Sequence, residues 1–128
     1  NPTEKVMVDS LIKRWFANSK SKKIIKCSNF IKKLLKLNMR FNFKGYAIAY
    51  DVFSNLKGNS LTTIKKIKIP MFYVTGEKDL NSTPLMSKKL AKIHNNEYKI
   101  IKSARHILQL THSEQFNFYL IKFIKGLE

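Results

Sequence analysis

The sequence predicts an α/β fold in which a helical N-terminal segment precedes a parallel sheet. The first observation is that apolar residues recur at helical spacing through residues 4–56. The second is a change of period at Ile69, after which the continuous apolar run 71–74 meets Gly76, as is typical of a strand covered on both faces. The third is the order of the elements that follow. Strand, helix, strand, loop and helix is typical of a parallel α/β sheet.

The helical segment divides into three helices, which we expect over residues 4–18, 22–38 and 43–56. Gly58-Asn59 is expected to end the third helix, because these residue types favour turns. A short turn capped by Ser60 or Thr62 then leads to the first strand.

The second part of the chain is expected to hold two strands, over residues 71–75 and 97–101, joined by a helix. Pro84 opens that helix, because proline is favoured in the first helical turn. A closing helix is predicted over residues 113–126. Its buried stripe is expected to comprise Phe116, Leu120, Phe123, Ile124 and Leu127.

The size of the chain, 128 residues, is that of one compact domain. No apolar stretch approaches the roughly 18 residues of a membrane span, and the opening residues do not resemble a signal peptide. The single cysteine, Cys27, excludes an internal disulfide and is more often a core residue than a reactive one. These features predict a cytoplasmic protein without a membrane partner.

The net charge of +17 suggests contact with polyanions. Only three of the 25 basic residues are arginines, the residue suited to bidentate contacts with phosphate and guanine. The lysines are spread along the chain, and the one marked cluster is Lys20–Lys26. We therefore expect solvated surface lysines and no specific nucleic-acid partner.

Two loops that follow the predicted strands carry the candidate chemistry. Asp79 follows the first strand, and His106 follows the second. Ligands and catalytic groups collect beyond the carboxyl ends of parallel strands. An acid and a histidine on neighbouring loops can act as the orienting carboxylate and the general base of a nucleophile triad. The alternative is that Asp79 caps its own turn and that His106 is a surface residue.

The segment from Ile67 to Ile124 resembles the C-terminal part of an α/β-hydrolase, and GYAIAYDVFSNL, residues 45–56, resembles the entry from a helical cap. The closest similarity is to esterases and lactonases of the 3-oxoadipate enol-lactonase type. An ordered set of residues followed by an aromatic helix carries the resemblance: Pro70, Gly76, Asp79, Pro84 and His106.

The resemblance implies a cap-like segment over residues 1–58 and the C-terminal part of a hydrolase core, with its parallel sheet, over residues 59–128. It also implies that Asp79 is the triad acid and His106 the general base. Trp15, Phe16 and Ile107 are candidates for the lining of an acyl or lactone pocket. Arg105 departs from the family pattern, which usually has glycine before the histidine.

The nucleophile of such a triad is missing from the sequence. The family places it in a Gly-x-Ser-x-Gly turn, and no two of the four glycines here are four residues apart. Gly58-Asn59-Ser60 is the nearest imitation, but no predicted strand precedes it. We therefore expect the nucleophile in an upstream half of the same hydrolase.

Two function classes follow from the sequence. One is part of a serine-type hydrolase that cleaves a small ester or lactone, without a cofactor or metal. The other is a non-catalytic fragment or basic binding module that contacts polyanions through surface lysines. The sequence does not separate an esterase from a lactonase, a C–C hydrolase or a dehalogenase.

The sequence also predicts the geometry of the site. The Asp79 carboxylate is expected to lie roughly 2.6–3.2 Å from one ring nitrogen of His106, and the other nitrogen is expected to face a cavity beneath the N-terminal helices.

Overall fold

The computed structural model describes residues 2–55 and 61–128. Seven helices and two strands occupy these ranges. In chain order they are α1 (Pro2–Phe16), α2 (Lys22–Phe41), α3 (Phe43–Asn55), α4 (Leu61–Lys65), β1 (Tyr73–Gly76), α5 (Pro84–Ile93), β2 (Tyr98–Ile101), α6 (Leu108–Thr111) and α7 (Ser113–Lys125). Within the described ranges, no helix is both long enough and apolar enough to cross a bilayer.

The α/β fold class that the sequence predicts is wrong. Most of the described residues are helical, and the sheet there consists of two strands of four residues each, which is not the sheet-dominated core of an α/β-hydrolase. The apolar run that suggested a longer strand begins with Met71 and Phe72, which lie before the first paired residue, Tyr73. Pairing is limited because the partner strand offers only Tyr98–Ile101.

The predicted relationship between the two strands is confirmed. β1 and β2 are parallel, and Tyr73 and Gly76 are in register with Tyr98 and Ile101. Helix α5 joins them and packs against β1. Its first residue is Pro84, and the Thr83 side chain caps it by accepting a hydrogen bond from the Met86 N–H at 3.3 Å.

The core of the C-terminal part lies where β2 meets the helices that follow it. Ile101, Ala104 and Leu108 are buried there, and Phe116 and Tyr119 of α7 pack against them. The predicted buried stripe of the closing helix is only partly correct, because Ile124 and Leu127 are exposed. Helix α7 meets β2 and α6 on one side only, so the apolar side chains of its last turns remain in solvent.

The N-terminal helices form a layer that also contacts the C-terminal part. Helices α1 and α2 pack together, and an ion pair of 2.6 Å joins Asp9 to Lys32. Helix α2 reaches α6, where the Cys27 thiol lies 3.9 Å from the Leu110 carbonyl oxygen. The predicted end of the third helix at Gly58-Asn59, the predicted cap at Ser60 and the predicted boundary between residues 58 and 59 lie outside the described residues. Thr62, the alternative cap, lies within α4 and so is not at the N-cap position.

Candidate functional site

Asp79 lies three residues beyond the end of β1 and is held by the backbone of its own turn. Its Oδ1 accepts hydrogen bonds from the N–H groups of Asn81 at 2.7 Å and Ser82 at 3.0 Å. The Thr75 hydroxyl donates to the Ser82 carbonyl oxygen at 2.5 Å and closes the same loop. These bonds fix one carboxylate oxygen and leave Oδ2 for a different partner.

That partner is His106, whose Nδ1 lies 3.0 Å from Asp79 Oδ2. The predicted contact between the two residues is confirmed. The Asp79 side chain is only 3% exposed, whereas that of His106 is 30% exposed. A carboxylate can only accept, so Nδ1 carries a hydrogen, and in the neutral imidazole Nε2 presents a lone pair. No described residue makes a hydrogen bond to Nε2.

The two loops that carry the pair are fastened to each other. The Glu77 N–H donates to the Ile101 carbonyl oxygen, and the Lys78 N–H donates to that of Ala104, both at 2.9 Å. The Glu77 carboxylate in turn accepts a hydrogen bond of 2.8 Å from the Ser103 N–H. Sequence reasoning missed this role of Glu77, because nothing in its spacing distinguishes it from a solvated acid.

A cavity of about 650 Å³ opens at His106 and is bounded on one side by α1 and α3. Leu11, Arg14 and Trp15 of α1 line it, together with Tyr50 and Ser54 of α3, Asn81, Ser82 and His106. The Trp15 indole lies against the imidazole, with ring centroids 5.7 Å apart. His106 therefore lines a mixed apolar and polar space beneath N-terminal helices.

Of the three predicted pocket residues, only Trp15 lines the cavity at His106. Phe16 is buried and lines a second, smaller cavity, and Ile107 is half-buried at the start of α6 without lining the cavity at His106. Tyr50 and Ser54 were missed, because their helix face could not be oriented from the sequence before the position of α3 was known.

The other histidines have structural contacts. His94 Nε2 lies 2.6 Å from the Ile64 carbonyl oxygen and so links the end of α5 to α4. His112 Nδ1 lies 2.9 Å from the Thr111 hydroxyl. Among the described residues, no group of three or more histidine, cysteine or acidic side chains is placed to hold a metal ion.

Comparison with family models, with curated proteins and with solved structures finds no match to the chain.

Proposed function

We propose that Asp79 and His106 are the acid and the general base of a serine-type hydrolase that cleaves a small ester or lactone. The observation that carries the proposal is the 3.0 Å contact between Asp79 Oδ2 and His106 Nδ1 beside a cavity. The remaining ring nitrogen has no partner among the described residues. The buried Asp79 and the half-buried His106 correspond to the orienting acid and the base of such a pair.

The chemistry assigns one task to each group. A serine Oγ from outside this sequence attacks the carbonyl carbon while His106 Nε2 takes its proton. His106 then donates that proton to the departing alkoxide oxygen, and the acyl group stays on the serine. In the second half a water molecule attacks the acyl carbon and gives its proton to Nε2. The bond between the acyl carbon and the serine Oγ then breaks, Nε2 returns the proton to Oγ, and the acid is released. Asp79 holds the Nδ1–H throughout and keeps Nε2 available.

The proposal requires an activated serine. The sequence has no Gly-x-Ser-x-Gly turn, and neither Ser54 nor Ser82 in the cavity makes a hydrogen bond to His106, so the isolated chain should hydrolyse no ester above background. The test begins with the upstream coding sequence, in which we expect a Gly-x-Ser-x-Gly turn after a strand-like segment. The longer protein is then treated with a fluorophosphonate probe, which labels an activated serine.

Labelling should be lost in His106→Ala and kept in the matched variant His94→Gln, whose side chain can still donate to the Ile64 carbonyl oxygen. The absence of a serine turn upstream would refute the proposal. Labelling that does not depend on His106 would also refute it, as would ester turnover by the isolated chain that is lost in His106→Ala.

A further inference from the structure

A second cavity shares Trp15 with the cavity at His106 and lies between the end of α1, the start of α2 and the two loops beyond the strands. Its volume is about 180 Å³. An engineered cavity of about 150 Å³ in another protein accommodates a benzene ring. The space is therefore large enough for one small ring and too small for an extended ligand.

The lining of this cavity is apolar on one side. Trp15, Phe16, Ala17 and Ile24 contribute carbon surface from α1, the loop after it and α2. Phe16 is buried, so this side is a firm part of the packed structure and not a mobile surface. An apolar ligand body would be removed from water there.

The other side carries cations and hydroxyl groups. Lys78 and Arg105 line it, with the hydroxyl residues Ser19, Ser103 and Thr111. None of the described residues that line the cavity is acidic. The two acids that flank Lys78 in the sequence are engaged elsewhere, Glu77 with the Ser103 N–H and Asp79 with its own turn and His106. Arg105 uses one nitrogen for a long contact of 3.4 Å with the Arg14 carbonyl oxygen, which leaves most of its five N–H donors free.

The surroundings of His112, another lining residue, are also positive. Burial and the charge of Lys23 lower the pKa of His112. An anion in the cavity would supply a counter-charge to Lys78 and Arg105.

We propose that this cavity binds a small carboxylate with an apolar body, of about the size of benzoate. Its carboxylate oxygens face Lys78 and Arg105, and its body lies against Trp15 and Phe16. The site is distinct from the cavity at His106, and the inference does not depend on the proposed hydrolase function.

The test uses the intrinsic fluorescence of Trp15, the single tryptophan of the chain, titrated with sodium benzoate. We expect a saturable change. Benzamide, which has the same ring without the charge, and inorganic phosphate, which has charge without an apolar body, should each bind at least about tenfold more weakly, since a lost charged hydrogen bond costs that much or more. Equal binding of benzamide or phosphate, or no saturable signal, would overturn the proposal.

Variants locate the ligand. Lys78→Gln and Arg105→Gln should each weaken benzoate binding about tenfold or more, while Lys89→Gln, an exposed lysine on α5, should leave it unchanged. His106→Asn should also leave it unchanged, because His106 lines only the other of the two cavities that share Trp15. Loss of binding in His106→Asn with retention in Lys78→Gln would place benzoate in the wrong cavity and refute the inference.

A second readout does not depend on the fluorescence of Trp15. An NMR titration of the His112 ring should show a higher pKa with saturating benzoate than without it, because the bound carboxylate favours the imidazolium. The groups that face His112 in the free protein are Lys23 and the Thr111 hydroxyl. An unchanged or lower pKa in a benzoate-saturated sample would contradict a carboxylate at this position.

Discussion

Gly76 at the end of β1 packs directly against the backbone of Ala104 in the loop after β2. A Cβ atom added to Gly76 would lie 2.5 Å from the Ala104 carbonyl oxygen. The same carbonyl accepts the Lys78 N–H, so it cannot move away without breaking the bond that fastens the two loops. The close approach of these two segments therefore depends on the absence of a side chain at Gly76.

Gly76→Ala should separate the loops and lower the free energy of unfolding by about 1–3 kcal/mol, because overpacked sites relax only with backbone movement. Urea denaturation would measure the loss. Gly126→Ala is the matched control, since the added Cβ would meet its nearest atoms at 3.5 Å, an ordinary contact. Equal stabilities of the two variants would show that the loops tolerate a side chain at Gly76.

Asp79 combines a turn role with the contact to His106, and two substitutions separate them. Asp79→Ala removes the acceptor of two backbone N–H groups and should cost about 2–4 kcal/mol of stability. Asp79→Asn keeps an oxygen for the turn and should cost about 1 kcal/mol. It places an amide group at Nδ1, so ¹⁵N NMR of His106 should show the hydrogen moved to Nε2. An unchanged tautomer in Asp79→Asn would mean that Asp79 does not orient the ring.

Ala17 follows α1 with a φ of 56°, in the left-handed region that favours glycine. Its N–H closes the end of the helix by donating to the Lys13 carbonyl oxygen at 2.9 Å. Ala17→Gly should raise the free energy of unfolding by about 0.5–1 kcal/mol, net of the greater freedom of glycine in the unfolded chain. Ala47→Gly in the exposed part of α3 should instead lower it by about 1 kcal/mol. A loss of stability in both variants would contradict the strain at Ala17.

His112 should make stability depend on pH, because burial and the charge of Lys23 lower its pKa below the ordinary 6.5. Between the lowered pKa and 6.5 the unfolded chain binds more protons than the folded one, so the free energy of unfolding rises with pH through that window and falls on acidification. His112→Gln should remove this part of the slope in denaturation series at several pH values. Lys23→Gln should reduce it. An unchanged slope in His112→Gln would show that groups other than His112 cause the pH dependence of stability.

Polyanion binding is the test of the alternative function. Lys22, Lys23 and Lys26 are exposed on α2, and a surface of this kind binds nucleic acid through charge alone. We expect weak DNA binding that is lost at moderate salt and shows no preferred sequence. Tight binding at physiological salt that is abolished by alanine at these three lysines, but not at Lys88 and Lys89, would favour the binding-module interpretation.

The sequence predicted the local order of the chain better than its overall architecture. The parallel pairing, the start of α5 at Pro84 and the contact of Asp79 with His106 follow from short-range signals, which are turn residues and loops that leave parallel strands at one edge. The fold class did not follow, because an apolar run does not reveal how many of its residues find a pairing partner. Met71 and Phe72 belong to the run but not to the strand. The position of α1 beside His106 was expected only from the family resemblance, because no local pattern in α1 orients it toward the loops.

The hydrogen bond between Asp79 and His106 spans only 27 residues of sequence. Every bond that fastens the two loops also lies within residues 73–106. Asp79 and His106 therefore belong to one continuous segment held by contacts of short sequence separation, and such contacts form early and at low entropic cost during folding. Exchange of the N-terminal helices would leave these hydrogen bonds in place and would remove the contacts of α1 with the loops, which are those of Trp15 with His106 and of Arg14 with Arg105.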